Sequence, residues 1–381
     1  MIDAGIYVHV PYCRRKCLYC DFFSGGYKTA DWEGFVRCII NEYNERRWEI
    51  SGKADSLYIG GGTPSLMPDT PFRSLLRFLI DNISWGIDKR EITLEVNPED
   101  VSEEKARMWK GEGVNRVSMG VQSFNNDELI RVGRRHDSRR AMEAYDVLRK
   151  HFDNISIDLM FGLPGQTVES WEKSVETAVT LNPDHISAYS LMLEEGTPMT
   201  VLAEKGRIEL PDDRLNDEMW RRLSVRLSES GYRQYEISNY SKQGYESKHN
   251  GKYWRQVPYL GLGPSAHSYD GDRERRFNPP DITGYLKRFG SGQERREPFY
   301  RREMLTDEEI KEEYILTRMR VSEGINLSDF RERFGKAAEE RLLHNLMTLP
   351  NQELVENKEG NISLSSDGIM VADSVILALA M

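Results

Sequence analysis

Short apolar stretches and amphipathic ones alternate through the first two thirds of the chain. "GIYVHV" from Gly5, "SLYIGG" from Ser56, "EITLEV" from Glu91, "VNRVSMGV" from Val114, "NISIDLMF" from Asn154 and "DHISAYSL" from Asp184 are each bounded by turn residues. Their content of Ile, Val, Leu and Tyr predicts buried strands. Helical spacing fills the intervals: Trp32, Phe35, Val36, Ile39 and Tyr43 fall on one face, with Cys38 toward the edge of that stripe as a core-flanking thiol. "TVESWEKSVETAVTLNP" opens on Thr167 with an acidic residue in its first turn, as a helix start should. Strands that alternate with helices imply a parallel sheet with right-handed crossovers. Six units are too few for a closed eight-stranded barrel, so an open or partial α/β barrel is expected over residues 1–210.

Residues 211–299 read as a mixed extension. It holds a helix ("LNDEMWRRLSVRLSES"), an aromatic stretch ("YRQYEISNY") and a Gly-rich turn ("GLGPSAHSY"). The polar, Arg-rich "GSGQERREPFYRRE" looks like a boundary. After it, three helices, a hairpin ("ELVENKEGNISLSSDG") and a final helix suggest a small winged-helix-like domain over 300–381.

Charge narrows the partners. The net charge of -10 argues against a nucleic-acid protein, because phosphate binding needs clustered Lys and Arg. The acidic C-terminal domain is therefore expected to pack or to hold a partner. The basic run "RVGRRHDSRR" from Arg131 reads as a solvated helix face. No apolar run is long enough for a membrane helix, and the first residues do not resemble a secretory signal. A reducing cytoplasmic setting is the expectation.

Chemistry concentrates in "HVPYCRRKCLYCDFF". Three of the four cysteines, Cys13, Cys17 and Cys20, fall within eight positions directly after the first strand. An odd number cannot pair completely as disulfides, and a reducing compartment favours metal or cluster ligation. Zinc with His9 as fourth ligand is one reading. An iron–sulfur cluster is the other: a cuboidal four-iron cluster on three thiolates leaves one iron open to a small molecule. "GGGTPS" follows the second strand at the same end of the sheet. It is neither a dinucleotide-binding fingerprint nor a P-loop, yet three glycines let the backbone approach a ligand closely. Glu95, Gln122 and Asp158 recur late in the third, fourth and fifth strands. Polar groups at strand after strand are how an α/β barrel builds a site.

The spacing C-x3-C-x2-C followed by Gly-Gly-Gly-Thr-Pro resembles the radical S-adenosylmethionine (SAM) superfamily. "YVHVPYC", "IGGGTP", "LEVNPE", "RVSMGVQSF", "IDLMFGLPGQT" and "LNPDHISAY" match, in order, the group related to oxygen-independent coproporphyrinogen III oxidase. The resemblance implies a partial (β/α)6 barrel of the radical SAM type and a [4Fe-4S] cluster on Cys13, Cys17 and Cys20, with SAM on the open iron. It further implies that Tyr7 lies against the cofactor, that Gly61, Gly62 and Thr63 hold its methionine end, and that Glu95, Gln122, Arg134 and Asp158 bind its polar groups. Met192 matches a position that touches the adenine.

Within that group the chain departs from the true oxidase. Asp21 and Phe22 stand where the oxidase motif continues to a further cysteine, and no N-terminal extension precedes the first strand. "HNGKYW", His249 to Trp254, is similar instead to the H-N-x-x-Y-W motif of the HemW-type haem chaperones. That resemblance implies haem as cargo, apo-haemoproteins of respiratory chains as recipients and a flavodoxin- or ferredoxin-like reductant. It implies no integral membrane segment and leaves a peripheral membrane contact open. His249 would supply an imidazole to the iron, with Tyr253 and Trp254 lining a flat apolar pocket and His267 as the rival ligand. Oxidative decarboxylation of coproporphyrinogen III is the alternative activity, and a zinc-stabilised α/β protein without redox chemistry the alternative outside the group.

Overall fold

Six parallel strands form in the order the sequence predicts: β1 (Ala4–Val10), β2 (Ala54–Gly61), β3 (Glu91–Val96), β4 (Arg116–Gln122), β5 (Ile155–Phe161) and β6 (His185–Ser190). The structure is a computed structural model. It describes residues 3–50, 52–86, 90–291 and 297–380. Part of the Arg-rich segment read as a boundary, 292–296, lies outside the described residues, as do Met1 and Ile2.

Each strand divides its side chains by the two-residue period of the pleat. On one face Ile6, Val8, Leu57, Ile59, Ile92, Leu94, Val117, Met119, Ile155, Ile157 and Ile186 enter one apolar core. The helices that cover this face are α1 (Trp32–Arg46), α2 (Asp69–Asn82), α3 (Glu103–Gly111), α5 (Ser138–Arg149) and α6 (Val168–Leu181), while the short α4 (Asn126–Arg131) follows β4 and adds nothing to that core. Cys38, expected at the edge of the α1 stripe, is fully buried within that core. Thr167 caps α6 as the sequence suggests, and its side chain accepts from the Ser170 amide.

The sheet is larger than six strands. After α7 (Pro198–Glu204) and α8 (Asp213–Glu229) come β7 (Arg233–Gln234) and β8 (Asn239–Ser241), and β8 pairs antiparallel with β6. Helix α9 (Lys248–Trp254) precedes β9 (Tyr259–Leu262), which pairs parallel with β1 and so adds a seventh parallel strand. The "GLGPS" stretch, read as a turn, thus begins inside a strand; four residues containing a glycine carry too little pattern to announce one. Beyond it β10 (His267–Tyr269), β11 (Glu274–Phe277) and β12 (Arg301–Met304) continue antiparallel, giving the order β12-β11-β10-β9-β1-β2-β3-β4-β5-β6-β8-β7. The two end strands do not pair with each other, so the barrel is open.

The C-terminal segment builds its own core from Tyr314, Ile315, Met319, Phe330, Leu342, Ile362 and Val375. Helices Asp307–Met319, Leu327–Phe334 and Lys336–Thr348 pack on a small sheet that includes the hairpin Val355–Lys358 and Asn361–Leu364. Among the described residues no helix is long and apolar enough to cross a membrane.

One buried carboxylate ties the added strands to the barrel. Glu42 of α1 accepts from Arg46 Nη1 at 2.6 Å, the Gly263 amide at 2.8 Å, Asn278 Nδ2 at 2.6 Å and Tyr285 Oη at 2.6 Å. Glu42→Ala leaves the buried Gly263 amide and Tyr285 hydroxyl without an acceptor, while Arg46 keeps Glu49 and Asn278 keeps Gly263 O, so the expected loss of stability is about 2 kcal/mol or more. Glu143→Ala removes only an exposed pair with Arg139 and is expected to cost less than about 1 kcal/mol. Urea denaturation followed by circular dichroism measures both; equal midpoint shifts would contradict the role given to Glu42.

Candidate functional site

The inner face of the strands is polar where the outer face is apolar. Tyr58 of β2, Glu95 of β3, Arg116 and Ser118 of β4, Ser156 and Asp158 of β5, and His185 and Ser187 of β6 bond to one another or line a common space, while Ser56 of β2 and Glu91 of β3 bond the start of α9. That space is a cavity of about 390 Å³ opening at the C-terminal ends of the strands. Cys13, Cys17 and Cys20 line it, as do Gly61, Gly62, Thr63, Glu95, Gln122, Arg134, Asp158 and Met192.

The cysteine loop is held from several sides. Tyr12–Cys13 pairs with Gly25–Gly26, the Leu18 amide donates to Val132 O at 3.1 Å, and the Met199 amide donates to Leu18 O at 2.9 Å. The Gly62 amide donates to Val10 O at 2.8 Å. A Cβ on Gly62 would stand 2.9 Å from Tyr12 O and 3.0 Å from Cys13 Sγ, so only glycine allows this approach. Gly61 has φ +109°, and a Cβ there would press on the His9 ring. Thr63 Oγ1 donates to Cys13 Sγ at 3.3 Å, and Arg134 Nη1 lies 3.6 Å from Cys17 Sγ. Burial pushes the Cys20 thiol up to about 11 and raises that of Cys13 as well. Binding to iron would remove those protons.

Ionisable groups inside the cavity are shifted mainly by desolvation. Burial raises Glu95 to about 7 against the bonds it accepts from Tyr58 Oη at 2.8 Å and the Gly61 amide at 3.1 Å. Asp158 is also raised by burial, although Ser187, Ser118 and Ser156 bond to it. Burial works against the Arg116 charge, but Glu91, Tyr58, Tyr235 and Asp158 outweigh it. Arg134, half-buried in the cavity wall, donates to Asn97 Oδ1 at 2.7 Å and to Gly120 O, while its Nε has no partner among the described residues. A guanidinium in the cavity wall with an unpaired donor suits an anionic group. Gln122 sits at φ +72° beside a bulge in the β4–β5 register, a strained position that aims its side chain inward.

Other expected residues lie elsewhere. Tyr7 does not line the cavity; it stands behind Tyr58, and its hydroxyl bonds His9 Nδ1 at 3.1 Å. His9 Nε2 bonds Phe23 O at 2.9 Å, so both ring nitrogens are engaged and His9 does not complete a zinc site. Among the described residues no three of His, Cys, Asp and Glu are gathered to hold a single metal ion. His249 is 1% exposed, with Nδ1 at 3.1 Å from Ser56 Oγ and Nε2 at 3.1 Å from Tyr253 Oη. Burial lowers its pKa to about 3. The helix that carries it, α9, is capped by Ser247, and Glu91 accepts from the Lys248 and His249 amides at 3.0 and 3.1 Å. Tyr253 packs edge-on against Tyr259, and Trp254 is half-buried. Of "HNGKYW" it is Asn250 that reaches the cavity. His267 is exposed and stacked on Phe277, away from the cavity.

Some site residues escaped the sequence reading. Asn97 links Thr63 Oγ1, at 3.4 Å, to Arg134. Tyr58, Arg116, Ser118 and Ser187 were recoverable by counting in twos back from Glu95, Gln122 and Asp158 along each strand and across to the next. The run read as a solvated helix face is split: Arg139 is exposed, whereas Arg134 and His136 turn inward, His136 Nε2 bonding Val121 O at 3.1 Å.

Comparison with known proteins agrees with this geometry. A Radical SAM superfamily model matches residues 7–178, and a HemN C-terminal domain model matches residues 305–371. The chain is 34% identical over 373 residues to the "Heme chaperone HemW" of Bacillus subtilis, covering 97% of each. It is 32% identical to that of Lactococcus lactis, covering 97% of this chain and 95% of the relative. A mitochondrial "Radical S-adenosyl methionine domain-containing protein 1" of Danio rerio is 32% identical over 98% of this chain and 86% of its own. Coproporphyrinogen III oxidase from Escherichia coli has the same fold, with a TM-score of 0.83 at 21% identity over 100% of this chain and 90% of the other. The chain belongs to the HemW haem-chaperone family of the radical SAM superfamily.

Proposed function

We propose that this protein is a haem chaperone whose barrel carries a [4Fe-4S] cluster and SAM, and that it delivers haem to apo-haemoproteins in the cytoplasm. Full-length similarity to proteins named haem chaperones favours this over decarboxylation of coproporphyrinogen III, since the oxidase likeness is one of fold. The observation that carries the cofactor reading is the meeting, in one cavity, of the three loop thiols with the glycine turn and the buried polar wall.

The residues fit the group. Cys13, Cys17 and Cys20 would hold three iron corners, leaving one free. Gly61, Gly62 and Thr63 offer backbone to the methionine end, and the open Nε of Arg134 suits its carboxylate. Glu95 and Asp158 suit hydroxyl or ammonium donors, and Gln122 is aimed at the same space. A reduced cluster supplies one electron. Tyr7 acts from behind, through His9 and Tyr58, rather than by contact. A flavodoxin- or ferredoxin-like protein is the expected reductant, and apo-haemoproteins of respiratory chains are the expected recipients. Anaerobic incubation with haem and an apo-haemoprotein tests the function: haem transfer is expected, and enzymatic decarboxylation of coproporphyrinogen III without transfer would overturn it.

Substituting Ala for Cys13, Cys17 and Cys20 together is expected to abolish iron and acid-labile sulfide after anaerobic reconstitution, while Cys38→Ala, within the apolar core, keeps both. Equal dependence on Cys38 would remove the open-iron arrangement. Gly62→Val is expected to lower cluster content as well as SAM affinity, because its side chain meets Cys13 Sγ.

SAM binding is expected to strengthen as pH rises through about 7, where Glu95 becomes the carboxylate that accepts donors. Calorimetry between pH 6 and 8 on the reconstituted protein reads it. Glu95→Gln should flatten the profile; an unchanged profile in that variant would place the titration elsewhere.

A further inference from the structure

His136 is the one ionisable side chain of the basic run from Arg131 that is wholly enclosed, yet it does not line the cavity. It lies between α4 and α5, two residues after Arg134. Its ring faces two acceptors. Nε2 bonds Val121 O at 3.1 Å. Nδ1 stands 3.3 Å from Glu99 Oε2, and neither of these two atoms has a hydrogen-bond partner elsewhere among the described residues. Burial works to raise the Glu99 carboxyl, but the His136 ring and the Arg134 charge outweigh it and hold it below its usual range.

Both contacts lie behind residues of the cavity wall. Asn97 and Arg134 form one rung between their loops, at 2.7 Å and lining the cavity; Glu99 and His136, each two residues further on, form a second rung that does not line it. A single contact leaves a loop free to pivot about it, whereas two contacts spaced along both chains fix its direction. The Val121 carbonyl belongs to the peptide that leads into Gln122, whose φ of +72° is strained and persists only where neighbours hold it. We infer that His136 and Glu99 are positioning residues: the ring fixes the Val121–Gln122 peptide so that Gln122 aims inward, and its pairing with Glu99 turns Arg134 toward the carboxylate of SAM. This rests on the SAM reading of the cavity. Neither residue touches SAM; each acts through one that does. Hydrogen bonds weaken steeply as they bend, so a small rotation of Arg134 or Gln122 is felt as lost affinity.

Calorimetric titration of SAM into the anaerobically reconstituted full-length protein tests the inference, with iron and acid-labile sulfide measured beside it. His136→Phe keeps a ring and gives up both contacts. His136→Gln keeps a donor near the Nε2 position and His136→Asn one near Nδ1, so each gives up one contact. Cluster content is expected to match the wild type in all three, because neither contact reaches the cysteine loop. SAM affinity is expected to fall about tenfold or more in His136→Phe, and by less in the Gln and Asn variants. Glu99→Gln keeps the shape of the side chain, so it keeps the test decisive if His136→Phe does not fold. It should weaken SAM binding too, yet combined with Arg134→Ala it should add no loss beyond that of Arg134→Ala alone, since Glu99 acts through Arg134. Wild-type protein that holds a cluster and binds no SAM would overturn the cofactor reading itself. Wild-type binding that His136→Phe and Glu99→Gln leave unchanged, or additive losses in the Glu99 and Arg134 pair, would overturn only the positioning role.

Discussion

Enclosing Glu91, Glu95, Arg116 and Asp158 on the inner wall of the barrel is the constraint on which the rest of the structure depends. Charges removed from water are tolerated only when they face partners or hydrogen bonds. The strand period supplies them: Tyr58 beside Glu95, Ser118, Ser156 and Ser187 beside Asp158, and Glu91 and Asp158 near Arg116. Helix α9 meets the same wall, since Glu91 caps it and Ser56 bonds its His249. The barrel interior is thus a fixed polar lining, and the outer face alone provides the apolar core.

That lining leaves the thiols to be placed by close backbone approach. The triple-glycine turn has no side chain to hold the cysteine loop away, so the Gly62 amide reaches Val10 O and Thr63 Oγ1 reaches Cys13 Sγ. Leu18 ties the far side of the loop to Val132 and to the start of α7. The thiols consequently stand at the one end of the sheet where Glu95, Gln122 and Arg134 also arrive. Parallel strands with a common direction bring these groups to one end without any of them being near another in sequence.

Much of this was legible before any coordinates. Residues that act through local pattern, such as the six barrel strands, the cap at Thr167 and the cysteine spacing, announced themselves. What stayed hidden depends on partners far along the chain. Strand β9 is recognisable only by its pairing with β1, and Gln122 owes its inward aim to a bulge against β5. Arg134 and His136 sit in a basic run that looks solvated until Asn97, Gly120 and Val121 are brought beside them. The "HNGKYW" motif shows the limit of a local reading. Its histidine has the chemistry of a haem ligand, but its two nitrogens are spent on Ser56 and Tyr253, and the neighbouring Asn250 faces the cavity.

The central claim is that three loop thiols hold a cluster whose fourth iron faces the polar barrel interior. Electron paramagnetic resonance of the reduced, anaerobically reconstituted protein tests it most directly, with spectra taken before and after adding SAM. The account predicts a [4Fe-4S] signal whose shape changes on addition, because SAM meets the cluster at its open corner. A fully loaded cluster whose spectrum is identical with and without SAM would contradict it.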